Sequence, residues 1–194
     1  MRIIGITGTM GSGKSEILRY VVALGAKVID SDQITRELSE PGQALYRALV
    51  REFGKGILQE DGQLNKALLR ERIFSNPKDL NRINEVSRDL LISVIIKRVM
   101  AMRDKDTVVI EAIRLYETGL NRICDEVWYV YCEKERQIQR IGARSDLSPE
   151  QIASILGSQQ NIADMIERAD HVIDNSGTLE ETKKQIDKLY REES

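Results

Sequence analysis

The sequence predicts an α/β fold in which five parallel strands form one sheet with helices on both faces. Short apolar segments alternate with longer segments of helical spacing along the 194 residues. Strands that are apolar on both sides and separated by helices are typical of a parallel sheet covered on both faces. The charged fraction of 31% and the hydrophobic fraction of 41% are ordinary for a globular chain.

The strands and helices follow one another in a simple order that is interrupted once. The predicted strands are the apolar segments 2–7, 26–30, 107–112, 126–132 and 170–174. No strand is predicted between residues 33 and 105, where apolar residues recur at helical spacing instead. We therefore predict a core formed by residues 1–32, 106–140 and 169–194, a helical subdomain at 33–105 and a helical lid at 141–168.

Two helix starts carry capping signatures. Ser148 is followed three residues later by Gln151, and Thr178 is followed at the same spacing by Glu181. A hydroxyl at the N-cap and a Glu or Gln three residues on satisfy each other's backbone N–H groups. We therefore expect helices to begin directly after Ser148 and Thr178.

Composition excludes several classes of function. His171 is the only histidine, and Cys124 and Cys132 are the only cysteines, which fits no common zinc-ligand pattern. The net charge of −2 creates no field that would attract nucleic acid or an anionic membrane. No segment reaches the roughly 18 apolar residues of a membrane span. We expect a cytoplasmic protein, a monomer or weak homo-oligomer, that binds neither nucleic acid nor membrane.

A glycine-rich segment after the first strand carries the strongest chemical signal. Residues 8–15 read GTMGSGKS and fit the phosphate-loop pattern G-x-x-x-x-G-K-S/T, between a strand and a helix as the motif requires. Backbone N–H groups of such a loop face phosphate oxygens, the lysine reaches the β- and γ-phosphates, and the serine hydroxyl is a Mg²⁺ ligand. The sequence therefore predicts a P-loop NTPase fold that binds a nucleoside triphosphate through Gly8, Gly11, Ser12, Gly13, Lys14 and Ser15.

The rest of the chain favours a small-molecule kinase over other P-loop classes. No guanine-reading N-K-x-D motif follows a strand, which argues against a GTPase. Small nucleotide-dependent kinases add an acceptor-binding helical insert and an arginine-bearing lid to the phosphate loop. The segments 33–105 and 141–168 are candidates for these two parts.

Carboxylates near the ends of two predicted strands are candidates for catalysis and metal binding. Strand alternation predicts that Asp30 and Asp32 face one side, where Asp32 accepts the proton of an attacking hydroxyl. The alternative role for Asp32 is the N-cap of a helix that begins near Gln33. Glu111 is expected to bind or polarise the Mg²⁺ shell, and its alternative is a surface carboxylate.

Arginines follow the fourth strand at regular spacing. Arg136, Arg140 and Arg144 are four residues apart and are predicted to share one helix face, from which they neutralise charge on a transferred phosphoryl group. A solvated stripe is the alternative, above all for Arg136. The polar segment 144–149 is expected to be mobile without ATP and to close over it.

Longer segments of the chain resemble one enzyme family, the dephospho-coenzyme A kinases. The similar segments follow in the family's order and span nearly the whole chain, among them MRIIGITGTMGSGKS, LYETGL, CDEVWYVYC, RIGARSDLSPEQI and ADHVIDNSG. The resemblance implies that the chain uses ATP and Mg²⁺ to phosphorylate the ribose 3′-hydroxyl of dephospho-coenzyme A (dephospho-CoA), the last step of coenzyme A biosynthesis.

The resemblance also assigns roles to single residues. It places Gly11 to Glu16 on the ATP loop and Asn175 on the adenine contact. Arg140 becomes an ATP contact of the lid, and 33–105 becomes the acceptor-binding subdomain. The predicted catalytic residues are the family's proposed base, the loop lysine and a lid arginine, namely Asp32, Lys14 and Arg144.

The sequence departs from the family pattern mainly on the acceptor side. Arg88-Asp89 stands where the family has His-Pro, residues 111–117 read EAIRLYE where DIPLLFE is usual, and Glu16 replaces a threonine. Acceptor contacts are therefore predicted at Asp32, Arg88, Arg114 and Glu117. Two alternatives follow: a related kinase with another small phosphorylated acceptor, bound by the two arginines, or a non-catalytic ATP-binding protein.

Overall fold

The computed structural model describes residues 1–104, 106–145, 147–157 and 162–191. Its five-stranded sheet has the order β2-β3-β1-β4-β5, with β1 (Arg2–Gly8), β2 (Lys27–Asp30), β3 (Thr107–Glu111), β4 (Glu126–Tyr131) and β5 (His171–Asp174). The pairs β1–β3, β1–β4 and β4–β5 are parallel. The predicted parallel α/β sheet is confirmed, and each predicted strand agrees with an observed one to within one residue at either end.

Helices connect the strands and fill the interval between β2 and β3. In chain order they are α1 (Lys14–Ala23), α2 (Ser31–Ser39), α3 (Ala44–Phe53), α4 (Lys66–Ser75), α5 (Pro77–Met100), α6 (Leu115–Thr118), α7 (Lys134–Gly142), α8 (Pro149–Gly157), α9 (Ile162–Arg168) and α10 (Leu179–Arg191). Short 3₁₀ turns occupy Lys55–Ile57 and Leu120–Ile123. Within the described ranges, no helix combines the length and the apolar character that crossing a membrane requires.

The chain divides into two compact units. The first comprises Met1–Ile29 and Arg103–Ser194, and the second comprises Asp30–Met102. The first unit therefore contains most of the sheet with α1 and α6 to α10, and the second contains α2 to α5.

The core of the first unit lies on the central strands. Its fully buried members come from β1, β3, β4, β5 and the two helices packed on them: Ile4, Ile6, Ile17, Val21, Val109, Trp128, Val130, Ile173 and Ile186. Burying one large aliphatic side chain contributes about 1.5–3 kcal/mol. This core holds the carboxyl ends of β1 and β4, from which the glycine-rich loop and α7 depart.

The second unit has a separate helical core. Leu45 and Leu49 lie one turn apart on α3 and pack with Ile57 and Leu64. Ion pairs tie α5 to its neighbours: Arg98 to Glu37 on α2 at 2.5 Å, and Arg82 to Glu52 on α3 at 2.6 Å. Since all four of these charged side chains are substantially exposed, the apolar contacts contribute more to the packing of α5 than the ion pairs do.

Reciprocal caps define two helix starts. Ser148 Oγ accepts from the N–H of Gln151 at 3.3 Å, while Gln151 Oε1 accepts from the N–H of Ser148 at 2.8 Å. Thr178 and Glu181 form the same pair at 3.3 and 2.8 Å. Both predicted capping boxes are confirmed.

The start of α2 differs from the prediction. Asp30 Oδ1 accepts from the N–H of Gln33 at 2.8 Å, so Asp30 is the N-cap and the helix begins at Ser31. Asp32 therefore lies in the first helical turn. The prediction that Asp30 and Asp32 share a strand face is wrong, and so is the alternative of Asp32 as the N-cap, because the last strand residue itself caps the helix.

Candidate functional site

The glycine-rich loop between β1 and α1 has a conformation that only glycine accommodates at its end. Gly13 has a φ of 91°, and a Cβ there would lie 2.1 Å from Asn175 Nδ2. Gly13 is also the N-cap residue of α1, so no side-chain oxygen of its own covers the helix N-terminus. The positive end of a ten-residue helix is therefore available to an anion.

Lys14 is held inside the curve of this loop. Its side chain is only 9% exposed, and Nζ donates to the carbonyl oxygens of Gly8 at 2.7 Å and Thr9 at 3.0 Å. A buried ammonium group whose position is fixed by the backbone is suited to neutralise phosphate charge without reorganisation.

Ser12 provides a test of whether the loop fits phosphates. Its side chain is fully buried, and Ser12 Oγ has no hydrogen-bond partner among the residues that the structure describes. Leaving a buried hydroxyl unpaired costs about 1–3 kcal/mol. An oxygen-rich ligand in the loop would remove that cost, so Ser12 and Lys14 together fit a bound triphosphate.

Arg140 and Asn175, both predicted ATP contacts, meet at the carbonyl of Ser12. Arg140 Nη1 donates to this oxygen at 3.2 Å and Asn175 Nδ2 donates to it at 2.7 Å. Arg140 Nη2 also donates to the Asn175 carbonyl at 3.0 Å. The hydroxyl of Thr182 on α10 in turn donates to Asn175 Oδ1 at 2.9 Å. Residues from α7, the end of β5 and α10 thus fix the phosphate loop.

The charge of Arg140 is not neutralised by these contacts. Among the described residues, Arg140 donates to two backbone carbonyls and to the sulfur of Cys132, which lies 3.3 Å from Nη1. Burial raises the pKa of the Cys132 thiol, an effect that Arg140 only partly offsets, so the thiol stays neutral at pH 7. The guanidinium therefore keeps its positive charge next to the loop.

Sequence reasoning missed two residues of this network, Thr182 and Gln137. Gln137 is buried on α7, accepts from Thr9 Oγ1 at 3.3 Å and donates to the carbonyl of Cys132. A glutamine at the apolar stripe of an otherwise charged helix is a signal that could have identified it. Thr182 had no such signal, because its cap-adjacent position on α10 resembles an ordinary helix start.

The two predicted metal ligands lie on the helix that follows β1 and at the end of the neighbouring strand β3. Ser15 is exposed in the first turn of α1, and Glu111 is the last residue of β3, paired in register with Ile6 of β1 and only 7% exposed. The alternative of Glu111 as a surface carboxylate is therefore wrong. Among the described residues, no three His, Cys, Asp or Glu side chains form a ligand cluster. The pair of Ser15 and Glu111 nevertheless fits Mg²⁺, because proteins usually bind this ion through one or two side chains together with phosphates and water.

Glu16 carries a negative charge close to the loop. Its carboxylate accepts from Arg19 Nη2 at 2.6 Å, one turn further along α1. This local ion pair offsets the carboxylate that stands beside the predicted phosphate position.

Arg144 is not on the helix face predicted for it. α7 ends at Gly142, and Arg144 follows it as an exposed turn residue whose N–H donates to the carbonyl of Ile141 at 3.0 Å. The prediction that Arg136, Arg140 and Arg144 share one helix face is therefore wrong. Arg140 alone points to the loop, whereas Arg136 is exposed, as the alternative of a solvated stripe expects.

The lid prediction is covered only in part. Within 141–168, α8 and α9 are helical as expected, but residues 146 and 158–161 lie outside the described residues. The predicted mobile segment 144–149 includes one of them, and the end of the predicted core, 192–194, also lies outside.

Of the predicted acceptor contacts, Arg114 and Glu117 lie in the first unit, at α6. Both are exposed, and Glu117 lines a cleft of about 270 Å³ with Arg168 and the Tyr116 ring, whose centroid is 4.1 Å from that guanidinium. Burial raises the pKa of Tyr116, and its hydroxyl has no partner among the described residues.

The other two predicted acceptor contacts, Asp32 and Arg88, lie in the second unit. Asp32 is exposed in the first turn of α2. Arg88 is exposed on α5 and contacts the neighbouring Asp89 at 3.4 Å. Because both side chains are exposed, both are accessible to a ligand.

Known proteins share both the sequence and the fold. The family model described as dephospho-CoA kinase matches residues 2–181. A dephospho-CoA kinase from Symbiobacterium thermophilum is 36% identical over 193 residues, which are 98% of this chain and 81% of that protein. The crystal structure of TT1252 from Thermus thermophilus has a TM-score of 0.84 at 26% identity and covers 100% of this chain and 98% of its own.

A second solved structure shares the fold at lower identity. The dephospho-CoA kinase from Campylobacter jejuni has a TM-score of 0.72 at 23% identity, with coverage of 100% of this chain and 98% of that one. The family match spans almost the whole chain and includes the phosphate loop, Arg140 and Asn175. This chain therefore belongs to the dephospho-CoA kinase family.

Proposed function

We propose that this chain transfers the γ-phosphoryl group of ATP to the ribose 3′-hydroxyl of dephospho-CoA and so produces coenzyme A. Membership of the family makes the chain a small-molecule kinase. The observation that carries the proposal is the phosphate loop, in which the buried Lys14 and the unpartnered Ser12 hydroxyl are held in place by Arg140 and Asn175.

The first unit supplies the ATP site. Lys14 neutralises negative charge on the β- and γ-phosphates, and Arg140 and Arg144 neutralise the negative charge of the transferred phosphoryl group. Ser15 and Glu111 would hold Mg²⁺, directly or through water. The bound ion would supply charge neutralisation at the phosphates.

The second unit supplies Asp32 as the base. The acceptor 3′-oxygen forms a bond to the γ-phosphorus, the bond from that phosphorus to the bridging oxygen breaks, and its electron pair leaves with ADP. The hydroxyl proton passes to the Asp32 carboxylate. An exposed carboxylate that is not engaged as a helix cap is free for this role, which the cap at Asp30 makes possible.

The experiment that tests the proposal is ADP release from ATP and Mg²⁺ with dephospho-CoA, compared with adenosine, AMP and no acceptor. We expect release that depends on dephospho-CoA, with a product heavier by one phosphoryl group. Turnover with AMP or adenosine alone would favour another acceptor, and ATP binding without any turnover would favour a non-catalytic protein.

The setting of the reaction is part of the same proposal. We expect a cytoplasmic enzyme, monomeric or weakly self-associating, that requires neither nucleic acid nor a membrane. Size-exclusion chromatography across a range of protein concentrations would test the oligomeric state.

A further inference from the structure

The second unit contains a cleft whose lining residues have so far been given no individual role. It has a volume of about 480 Å³ and lies between α2, the turn that follows it and the segment before α4. Its polar lining consists of Thr35, Arg36, Ser39, Glu40, Gln63 and Lys66. A volume in this range is typical of small-molecule sites.

The two cations of the cleft are only weakly compensated by the described part of the fold: Arg36 helps to lower the pKa of the Glu37 carboxyl through its charge, behind the larger effect of Arg98. Arg36 and Lys66 are both exposed, and neither forms a hydrogen bond or an ion pair with any residue that the structure describes. They come from different segments and line one cavity together. Two cations against the single carboxylate of Glu40 leave the lining with a net positive charge.

The two hydroxyl groups of the cleft already donate their hydrogen bonds to backbone carbonyls. Thr35 Oγ1 donates to the carbonyl of Ser31 at 2.9 Å, and Ser39 Oγ donates to the carbonyl of Thr35 at 2.7 Å. Their remaining capacity is to accept, which suits an N–H or O–H group and not a phosphate oxygen. The donors for an anion are therefore Arg36, Lys66 and the side-chain amide of Gln63.

The N-terminus of α4 adds to the positive side of the cleft. Lys66 is the first residue of this helix, and the N-cap Asn65 accepts from the N–H of Leu68 at 3.0 Å. The cap satisfies only one of the first backbone donors, so the helix end retains partial positive charge next to the Lys66 ammonium.

The cleft shares a helix face with the candidate base. Asp32, Arg36 and Ser39 follow one another on α2 at spacings of four and three residues, which places them along one side of the helix. One turn corresponds to about 5.4 Å of rise. In a nucleotide, only the ribose carbons separate the 3′-hydroxyl from the 5′-phosphate, so one turn of α2 matches that separation.

We propose that this cleft binds the 5′-diphosphate of dephospho-CoA through Arg36 and Lys66, with the ribose 3′-hydroxyl directed along α2 to Asp32. The proposal rests on the proposed function and adds the site that positions its acceptor. The accepting oxygens of Thr35 and Ser39 and the carboxylate of Glu40 then face the amide and hydroxyl donors of the pantetheine arm. Recognition of the diphosphate also explains why adenosine would be a poor acceptor.

The test is acceptor kinetics of Arg36→Gln and Lys66→Gln, with Arg47→Gln as the matched control, an exposed cation on α3 outside the cleft. Removing a charge-assisted contact should raise KM for dephospho-CoA by about tenfold in each cleft variant. KM for ATP and kcat at saturating acceptor should stay within about twofold.

A binding measurement separates this proposal from the proposed function. Calorimetric titration of dephospho-CoA without ATP should show the same loss of affinity in the two cleft variants and none in Arg47→Gln. Wild-type KM and affinity in both cleft variants would overturn the cleft assignment while leaving the kinase function intact. Absent turnover with cleft-dependent binding would contradict the function but support the cleft. Because both side chains are exposed, thermal unfolding should be unchanged, and Lys66→Arg should retain most of the affinity.

Discussion

The phosphate loop of the first unit and the α2 cleft of the second differ in how their positively charged side chains are held. In the loop, Lys14 is buried and bonded to backbone carbonyls, and Asn175 is held by bonds on both sides of its amide. In the cleft, Arg36 and Lys66 are exposed and bonded to no described residue. The loop is therefore held in place by the fold itself, whereas in our proposal the cations of the cleft gain their main partners from the acceptor.

Two departures from the family pattern, Arg88 and Arg114, lie at exposed positions, whereas Glu16 lies next to the loop and forms an ion pair with Arg19. A change in the loop breaks contacts that also hold the fold, so substitutions there are costly. Among the described residues, the exposed Arg88 forms an ion pair only with its neighbour Asp89, and Arg114 is exposed before α6. Surface positions of this kind accept new residues at a cost usually within about 0.5 kcal/mol.

The largest effect should follow removal of the loop cation. Lys14→Met should lower kcat by about a thousandfold, because the methionine cannot neutralise charge on the transferred phosphoryl group. Phosphoryl transfer from ATP to dephospho-CoA is the measurement. Lys27→Met, an exposed lysine on β2, is the control and should leave kcat unchanged. A comparable loss of kcat in both variants would contradict a specific role for the loop lysine.

A second large effect is expected on the acceptor side. Asp32→Asn should lower transfer by about a hundredfold while ATP affinity is retained, since an amide cannot accept the hydroxyl proton. Asp30→Asn is a matched control two residues away, because asparagine caps helices as well as aspartate does. Near-normal turnover of the Asp32 variant would show that this carboxylate is not the base.

The hydrogen bonds that hold the loop should have a smaller and separable effect. Asn175→Ala removes the donor to Ser12 and the acceptor for Thr182. We expect the free energy of unfolding to fall by about 1–3 kcal/mol and KM for ATP to rise several-fold. Urea unfolding and ATP kinetics measure the two effects, and Thr182→Val should reproduce a part of each. An unchanged KM with lowered stability would limit Asn175 to a structural role.

The smallest effect concerns a thiol beneath β1. Burial raises the pKa of Cys124 from 9.0 to about 12. At pH 8 the native thiol should therefore react with iodoacetamide much more slowly than in urea, since the thiolate is the nucleophile. The unfolded thiol ionises near pH 9 and the folded one near 12, so this group's contribution to stability is complete below about 9 and is lost as the pH rises to about 12. Equal native and unfolded alkylation rates would contradict the burial.

The sequence predicted local features correctly but placed two candidate catalytic residues wrongly. The loop, the strands and both capping boxes were predictable because each depends on residues within a few positions of one another. Asp32 and Arg144 were misplaced because helix boundaries decide them: a strand residue caps α2, which begins two residues before the expected start near Gln33, and α7 ends before the third arginine. A spacing of four residues implies a shared face only if one helix includes all of them.

The sequence by itself determined the alternation of strands and helices, the phosphate loop and the family, because backbone propensity, glycine conformation and motif spacing are local. Only the tertiary structure decided that Arg140, Asn175 and Thr182 converge on the loop and that Arg36 shares a cleft with Lys66. Apart from the bond between Thr182 and Asn175, which are seven residues apart, these contacts join residues separated by roughly 30 to more than 160 positions, and their geometry follows from how the hydrophobic cores pack.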